Sequence, residues 1–469
     1  MSSTDKKQNG LQKSLALIFV YTVATGSIFT YVSYWDSVFF SYCGPGTFLA
    51  FALMTLAILS IALVYSEISP LFHTGGELIY NTVGFNRHVG FLASWLIMAA
   101  WISVPPAVVM AIVTFISRTF GLGLTFGHTM IIGIIILVAV FLMSMQDIQF
   151  LVKAQAVCLF ANITTTLLTG VLLLFSGHWS FGNVANLFQT NLEPSAGIPG
   201  WIIGMALLIT PFFGFETVPQ MVEEGDFPTS NTKKAICGSV LTCGTIYVFF
   251  FFCVAGLDSF QTLLSGDAQN GFMTITAMQN LLGWKIWPLI YGCVSILMGM
   301  TASILGFWMS TARMLYSMGK KNFLPEIFTK VNSHQQPILP NLFLLGISLT
   351  FILLQNATTF MNDFFNLMSF GCACAYALTM VSAVRIHRKH PEWYKDNKNV
   401  VKGGDFTRIL AMVIMLSIAF FCTLGQGRGS WISFGVYMGV GVVIWLWMVA
   451  IRWKKSGVII ETPDGEQQF

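Results

Sequence analysis

Long apolar runs alternate with short polar connections along almost the whole chain. A helix needs about 20 mostly apolar residues to cross the roughly 30 Å hydrocarbon core of a bilayer. Twelve runs approach or exceed that length, and each predicts a membrane-spanning helix. Their approximate limits are 14–39, 46–69, 88–117, 127–145, 151–176, 198–222, 234–257, 284–316, 339–356, 361–385, 406–424 and 430–452. We therefore expect an all-α polytopic membrane protein with twelve spans.

The connections are too short to hold another folded domain. The longest cover 178–197, 258–283 and 317–337, and the last predicts a short interfacial helix. The chain thus divides into a tail at 1–13, a core of ten spans at 14–390, the last two spans with their preceding loop at 391–452, and a tail at 453–469.

Lysine and arginine are distributed unevenly between the connections. With the N-terminus on the cytoplasmic side, only Arg118, Lys285 and Arg428 fall on the outer side. Because basic residues are enriched on the cytoplasmic side of membrane proteins, this distribution predicts that both termini are cytoplasmic. We expect a multi-pass protein of the cell membrane.

Composition agrees with a membrane protein, since 55% of the residues are hydrophobic and 9% are charged. Soluble domains carry about a quarter charged residues. The net charge of +4 is not gathered into a basic face, which argues against a nucleic-acid partner. Most of the nine cysteines lie within apolar runs, so we expect buried thiols and no disulfide framework.

Catalytic signatures are missing from the sequence. It contains neither the His-Glu-x-x-His motif of zinc peptidases nor the Gly-x-Ser-x-Gly elbow of hydrolases. Together with the short connections, this predicts that the chain is not an enzyme, has no catalytic residues, and binds no cofactor or metal.

Two spans carry residues that interrupt helices. The first contains Thr25, Gly26 and Ser27, and the sixth contains Pro211 and Gly214. Glycine costs about 1 kcal/mol against alanine within a helix, and proline removes a backbone hydrogen bond. Irregular backbone at membrane depth is tolerated where it lines a cavity, so the pair of breaks indicates a binding site.

The two breaks lie five spans apart. That offset fits an inverted repeat of spans 1–5 and 6–10, with spans 11 and 12 appended. The correspondence lies in the breaks and not in residue identity. The alternative interpretation is that Gly26 and Gly214 only allow close helix packing, as glycine often does in membranes.

Four ordered motifs carry a resemblance that covers nearly the whole chain. The motifs are YSEISPLFHTGGELIYNTVGFNRHVGFLASW at 65–95, FFGFETVPQMVEEGDFP at 212–228, STARMLYSMGKKNFLPEIFTKVN at 310–332 and SFGCACAYALTMVSAVRIHRKHPE at 369–392. With these motifs the chain resembles the amino acid–polyamine–organocation (APC) transporters, which implies the LeuT-type fold and transport of amino acids, polyamines or other small amines. Within the family, HTGGE and ASILGFWMSTARMLYSMG are most similar to ethanolamine-type permeases.

Broken helices would expose unpaired backbone groups to a substrate. N–H groups around Gly26 to Ile28 would suit a carboxylate, and carbonyls beside the breaks would suit an ammonium. Phe212, Phe213 and Phe215 could stack on a cation, and Trp101 is a candidate for the pocket wall. The predicted substrate-binding residues are Ala24, Thr25, Gly26, Ser27, Ile28, Trp101, Phe212, Phe213, Gly214, Phe215 and Glu216.

Glu216 is a carboxyl group within an apolar span, directly after the second break. A charged acid at membrane depth costs at least about 2.5 kcal/mol, so it needs a partner or a proton. In polyamine-type relatives the matching glutamate is linked to amine recognition or pH response. We expect Glu216 to pair a substrate amine or to couple protons. The structural alternative is that it caps unwound backbone or pairs with a neighbouring helix.

Further residues are candidates for coupling or gating. Thr210 stands where some antiporter relatives carry a gating tryptophan. By spacing, Asn162 takes the place of a lysine that occupies the sodium position in some proton-coupled relatives. Glu223 and Glu224 lie near Lys233 and Lys234, and either an inner ion pair or two solvated acids fits them. With Glu216, these residues complete the predicted coupling set.

The sequence thus predicts a secondary transporter of a small amino acid or amine, working by alternating access in the lipid bilayer. Exchange, uniport and proton coupling through Glu216 stay open, because an asparagine at position 162 cannot supply a fixed charge. A sodium-coupled symporter and a transporter-fold sensor without transport are the alternatives. Both monomers and oligomers are compatible with the sequence.

Overall fold

The structure of the protein is a computed structural model. It describes residues 15–29, 32, 34–72, 76–265, 272–354, 360–453 and 457–469. The predicted tail at 1–13 lies outside the described residues, as do positions 73–75 of the HTGGE stretch.

Helices dominate the described part of the chain. The first ten are α1 Leu17–Ile28, α2 Asp36–Cys43, α3 Thr47–Ile68, α4 Gly76–Gly84, α5 Arg87–Thr119, α6 Phe126–Ser144, α7 Ile148–Leu174, α8 Phe181–Val184, α9 Gly200–Leu207 and α10 Val218–Met221. They are followed by α11 Thr232–Ala255, α12 Phe260–Leu263, α13 Met273–Asn280, α14 Ile286–Gly292, α15 Met300–Lys320, α16 Ile338–Leu354, α17 Phe360–Lys389, α18 Asp405–Leu424 and α19 Arg428–Trp447.

Ten helical segments of the described chain are long and apolar enough to cross a membrane, which confirms a polytopic helical membrane protein. They are Asp36–Leu71, Arg87–Thr119, Phe126–Ser144, Ile148–Leu174, Gly200–Glu224, Thr229–Ala255, Ile286–Lys320, Ser369–Lys389, Asp405–Leu424 and Arg428–Ile451. Two shorter apolar helices, α1 and α16, accompany them.

Burial separates central helices from peripheral ones. In α5, 94% of the most apolar window is buried, although Pro105 and Pro106 lie within the helix. The corresponding buried share is 17% for α6 and 17% for the segment that contains α19. The exposed side chains include Ile135 in α6 and Val443 in α19. Helix α5 is therefore a central element, while α6 and α19 present apolar surface suited to lipid.

A buried ion pair joins the end of α3 to the start of α18. The Arg408 Nε atom lies 2.8 Å from Glu67 Oε2, and both side chains are fully buried. Arg408 also binds Asp405 at 2.9 Å. Glu67 thus joins two helices that are far apart in the chain.

The predicted C-terminal tail contains a small antiparallel hairpin. Strand β1, Ile459–Thr462, pairs with β2, Gly465–Gln468. Ile460 is fully buried, and the Trp393 indole donates a 2.8 Å hydrogen bond to Asp464 in the turn. The predicted interfacial helix between spans eight and nine is a single 3₁₀ turn at Glu326–Thr329.

Candidate functional site

The apolar segment Gly200–Glu224, which corresponds to the sixth predicted span, is broken at its middle, as the sequence predicts. Helix α9 ends at Leu207, and short 3₁₀ turns at Thr210–Phe212 and Phe215–Thr217 flank Gly214. Gly214 has a φ of +134°, which side-chain-bearing residues rarely adopt. The glycine therefore permits the backbone conformation that interrupts the helix between α9 and α10.

The first span breaks later than predicted. Helix α1 continues through Thr25 and Ser27 to Ile28, and the next helix begins at Asp36. The hydroxyl groups of Thr25 and Ser27 each donate to a carbonyl four residues earlier, at 2.7 and 2.9 Å. These side chains satisfy themselves within the helix, so the TGS sequence does not unwind it.

This shift changes what the first helix can offer a ligand. The N–H groups of Gly26, Ser27 and Ile28 lie within the last turn of α1. The prediction that they form an open carboxylate site is wrong, because the C-terminal end of a helix directs carbonyl groups outward. The negative end of the helix dipole favours a cation there.

The two interrupted helices meet at Gly214. A Cβ atom at this position would lie 2.7 Å from Ser27 Cβ and 2.9 Å from the Ile28 nitrogen. The Tyr247 hydroxyl of α11 lies 2.5 Å from the Ile28 carbonyl and 3.1 Å from the Pro211 carbonyl. Tyr247, which the sequence did not single out, therefore joins the carbonyl ends of both helices.

Glu216 is fully buried beside this junction. Its Oε2 atom accepts a 2.8 Å hydrogen bond from the Gly214 N–H, and its Oε1 atom accepts one of 2.9 Å from the Trp101 indole. Trp101 comes from the middle of α5. The structure thus brings together three of the residues that the sequence placed in one site.

The neighbouring phenylalanines divide between two sides of the break. Phe213 and Phe215 pack against Tyr376 of α17, with ring centroids 6.3 and 5.3 Å apart. Phe212 instead packs against Tyr247, at 5.7 Å. Two of the three predicted aromatic residues are therefore grouped with Tyr376, and Phe212 supports the helix junction.

Tyr376 is a further candidate that the sequence did not identify. Its side chain is buried, and its hydroxyl interacts with the Glu216 carboxyl group. A hydroxyl can both donate and accept hydrogen bonds, so this group is a suitable contact for a ligand bound at Glu216.

A glutamine fills the gap between α1, α7 and α15. The Gln155 Nε2 atom lies 2.8 Å from the Ala302 carbonyl and 3.4 Å from the Val23 carbonyl. Asn162, which the sequence predicts to take the place of the lysine at the sodium position of some relatives, lies two turns away on α7. It lies against Gly299 of the neighbouring π-helix, Cys293–Gly299. Positions 155 and 162 share a face of α7, so spacing alone could not distinguish them.

Ala24, Thr25 and Thr210, which the sequence predicts to bind or gate, pack against or bond to neighbouring parts of the protein. Ala24 is buried, and the Thr25 carbonyl lies 3.7 Å from the Cys243 sulfur of α11. The Thr210 hydroxyl donates to the Leu207 carbonyl at 2.9 Å. Thr210 thereby satisfies a carbonyl at the end of α9.

Glu223 and Glu224 have different partners from those the sequence suggested. Glu224 forms a buried ion pair with Arg313 of α15, with Nη2 and Oε2 2.9 Å apart. Glu223 binds Lys320 at 2.9 Å in a partly exposed position. The inner ion-pair interpretation fits Glu224, whereas Glu223 is closer to a solvated acid.

The backbone of Glu224 also holds the start of the chain's first helix. The Leu15 N–H donates to the Glu224 carbonyl at 2.9 Å, and the Asp226 N–H donates to the Leu15 carbonyl at 2.8 Å. We call Leu15, Glu224 and Arg313 the latch. We call the interrupted segment Gly200–Glu224 the broken helix. The latch holds α1, the end of the broken helix and α15 together at the end of the bundle where α1 begins.

The chemistry of the site suits a cation. The ion pairs of the described residues include none with Glu216, and the groups that donate to its carboxylate include the Gly214 and Trp101 N–H groups. A carboxylate offers about four acceptor positions, so further donors can bind it. The carbonyl end of α1 and nearby aromatic rings add to the attraction for an ammonium group.

Comparison with known proteins gives a consistent family. Residues 10–447 match the sequence model described as amino acid permease. The glutamate/serine transporter AimA of Bacillus subtilis is 22% identical over 87% of this chain and 79% of its own length. From the same organism, the methylthioribose transporter is 22% identical and the branched-chain amino acid permease BcaP is 24% identical, each over 86% of this chain and 85% of its own length.

Proposed function

The chain belongs to the amino acid permease family, and we propose that it carries a small amine or amino acid by binding the ammonium group at Glu216. Family membership identifies a membrane transporter and not an enzyme. The observation that carries the substrate proposal is the position of Glu216. It is a buried carboxyl group that has no basic partner among the residues the structure describes, and it lies where two interrupted helices meet.

The proposed architecture has twelve spans. Helices α1 and α2 form the interrupted first span, α3 the second, and α16 the ninth. The other nine spans correspond to the apolar segments from Arg87–Thr119 to Arg428–Ile451. Spans one and six are both interrupted, which supports a LeuT-type repeat of five and five spans with two appended.

Alternating access requires that the site be closed from at least one side. Glu216, Trp101 and Phe213 are each fully buried, so this conformation is closed around the carboxylate. The latch binds α1 to the broken helix and α15 on the proposed cytoplasmic side. We propose that opening toward the cytoplasm separates these three elements.

The substrate class follows from the charges and not from the relatives' names, which print different substrates. Glu216 and the carbonyl end of α1 both favour the ammonium group. With α1 helical to Ile28, the region that was expected to bind a carboxylate offers carbonyls. We therefore propose that amines without a carboxylate, of the ethanolamine type, are substrates.

Counterflow in proteoliposomes tests this proposal. Vesicles loaded with unlabelled compound take up the labelled form only when the protein exchanges it across a sealed membrane. We expect competition by ethanolamine and putrescine, because both carry the ammonium group that Glu216 would bind. Competition by α-amino acids alone would contradict the amine assignment, and a lack of flux would favour the sensor alternative.

We also expect transport to be independent of sodium. The Gln155 amide donates to the Val23 and Ala302 carbonyls, which are the kind of ligand that holds sodium between helices in sodium-coupled transporters. Replacing external sodium with potassium should leave the initial uptake rate unchanged. A rate that falls to background without sodium would overturn this prediction and support the symporter alternative.

A further inference from the structure

A second carboxyl group is buried close to the proposed site. Glu77 lies in α4, outside the ten apolar segments, and is fully buried. Its Oε1 atom accepts a 2.9 Å hydrogen bond from the Tyr65 hydroxyl, and its Oε2 atom lies 3.3 Å from the Gln220 amide nitrogen. The ion pairs of the described residues include none with Glu77.

Glu77 is connected directly to the broken helix. Gln220 belongs to α10, one turn after Glu216. Gly76 precedes Glu77 with a φ of +45°, and a side chain there would overlap the Gln220 amide. The glycine therefore allows α4 to approach the broken helix closely enough for Glu77 to bind it.

Tyr65 forms a second connection between the two carboxyl groups. Its hydroxyl binds Glu77, while its ring packs against Phe215 at 5.3 Å and Tyr376 at 5.9 Å. Phe215 directly precedes Glu216, and Tyr376 interacts with the Glu216 carboxyl group. Because the two acids share this buried region, a change in the charge of Glu216 changes the electrostatic potential at Glu77.

The hydrogen-bond partners suit different protonation states of the two acids. The Gly214 and Trp101 N–H groups that bind Glu216 can only donate, and they therefore match an ionised carboxylate. The partners of Glu77 can reverse, since the Tyr65 hydroxyl can also accept and the Gln220 amide can present its oxygen. Glu77 can consequently gain a proton and keep both of its side-chain partners.

Electrostatics agree with this difference. Burial, and then the charge of Glu216, raise the pKa of Glu77 to about 8. Hydrogen bonds from the Glu77 backbone N–H, Tyr65 and Gln220 oppose the rise but do not cancel it. We therefore expect Glu77 to hold a proton near neutral pH and to release it at higher pH.

Among the described residues, the titratable groups near Glu77 do not supply a compensating cation. Those that interact with it are Tyr65 of α3, Tyr80 of α4, Cys372 of α17 and Glu216. Three basic residues of the neighbouring helices that the structure describes have other partners. Arg87 lies over Trp453, His88 binds Trp445, and Arg385 donates to the Gly84 carbonyl at the far end of α4.

We propose that Glu77 is a proton-binding site linked to substrate binding at Glu216. The inference rests on the proposed function, in which an ammonium group pairs with Glu216. The arriving positive charge offsets the Glu216 carboxylate, so Glu77 no longer experiences its full repulsion and releases a proton to solvent. One positive charge enters the site and one leaves, which couples the amine to proton exchange.

Linkage makes the pH dependence of binding a direct consequence. If binding releases a proton from Glu77, a lower proton concentration favours the complex. Affinity should therefore rise as the pH increases toward 8 and become constant above it, where Glu77 is already ionised. Glu77→Gln should bind with an affinity that does not follow this profile.

Proton release by the purified protein in nanodiscs tests the proposal. The protein is mixed with ethanolamine, L-serine or L-leucine in weakly buffered solution at pH 7, and a pH indicator reports the protons. Binding is measured in parallel by calorimetry. We expect wild-type protein to release up to about one proton per bound ligand, in proportion to the Glu77 pKa shift. Glu77→Gln should bind without release.

Two further variants complete the test. Glu193→Gln removes an exposed carboxyl group from a distant connection and should release protons as the wild type does. Tyr65→Phe keeps the Glu77 carboxyl group but removes a hydrogen bond that favours its ionised form, so release should move to higher pH. Tyr65→Phe also tests the proposal if Glu77→Gln fails to fold.

The outcomes separate this inference from the function on which it rests. Binding to wild-type protein without proton release, or equal release by Glu77→Gln, would overturn the role of Glu77 and leave the transporter proposal intact. Failure of all three compounds to bind the wild type would overturn the proposed substrate class, and the inference with it.

Discussion

Substrate binding should be nearly lost in Glu216→Gln. The substitution removes the negative charge that would pair with the ammonium group, and charge-assisted hydrogen bonds contribute roughly 1.5–3 kcal/mol each. Affinity should fall by roughly one to two orders of magnitude, from the same principle. Calorimetry with ethanolamine measures the binding, and counterflow in proteoliposomes measures the transport that depends on it.

Trp101→Phe is a control for this prediction. It removes one hydrogen bond to Glu216 but keeps the carboxylate, so binding should weaken much less than in Glu216→Gln. The glutamine amide also brings N–H groups toward the Trp101 and Gly214 donors, and the double variant Glu216→Gln/Trp101→Phe relieves part of that conflict. Binding by Glu216→Gln at wild-type affinity would exclude Glu216 as the ammonium partner.

The break in the sixth span was predictable because its causes are local. Pro211 lacks an N–H group and Gly214 can adopt a positive φ, so both residues act on their own backbone. The position of the first break was not predictable in the same way. Gly26 remains helical, and a Cβ atom there would lie 3.0 Å from the Gln155 amide, so the glycine serves the contact between α1 and α7.

The other residues of the candidate site were also predictable only where their signal is local in the sequence. Glu216 and Phe215 carry a recognisable signal, namely an acid and an aromatic residue beside a break. Tyr247 and Tyr376 are ordinary residues of apolar helices, and their roles depend on which helices pack together. Sequence periodicity gives the face of a helix but not its neighbour, so these residues emerge only from the tertiary structure.

Both proposals depend on the broken helix because it connects three functions. Glu216 faces the junction with α1, Gln220 binds Glu77, and Glu224 binds Arg313. All three positions lie within the nine residues from Glu216 to Glu224. Movement of this segment on opening would therefore change the surroundings of the proposed substrate site, proton site and latch together.

The latch supplies the second large effect. Glu224→Gln leaves the buried Arg313 guanidinium without its charged partner, and breaking a buried pair costs about 3–5 kcal/mol. We expect a clear decrease in the melting temperature of the detergent-solubilised protein. Glu223→Gln is a matched control on the adjacent residue. Its pair with Lys320 is partly exposed, so its loss should cost about 0–1 kcal/mol.

The double variant Glu224→Gln/Arg313→Met distinguishes a charge effect from a general packing defect. Removing both charges eliminates the unpaired guanidinium, so the double variant should regain part of the stability that Glu224→Gln loses. Equal melting temperatures for Glu224→Gln and Glu223→Gln would show that the buried pair does not hold the latch. Leu15 binds the Glu224 backbone and not its side chain, so Glu224→Gln retains the hydrogen bonds of Leu15. The loss of stability therefore measures only the ion pair between Glu224 and Arg313 of α15.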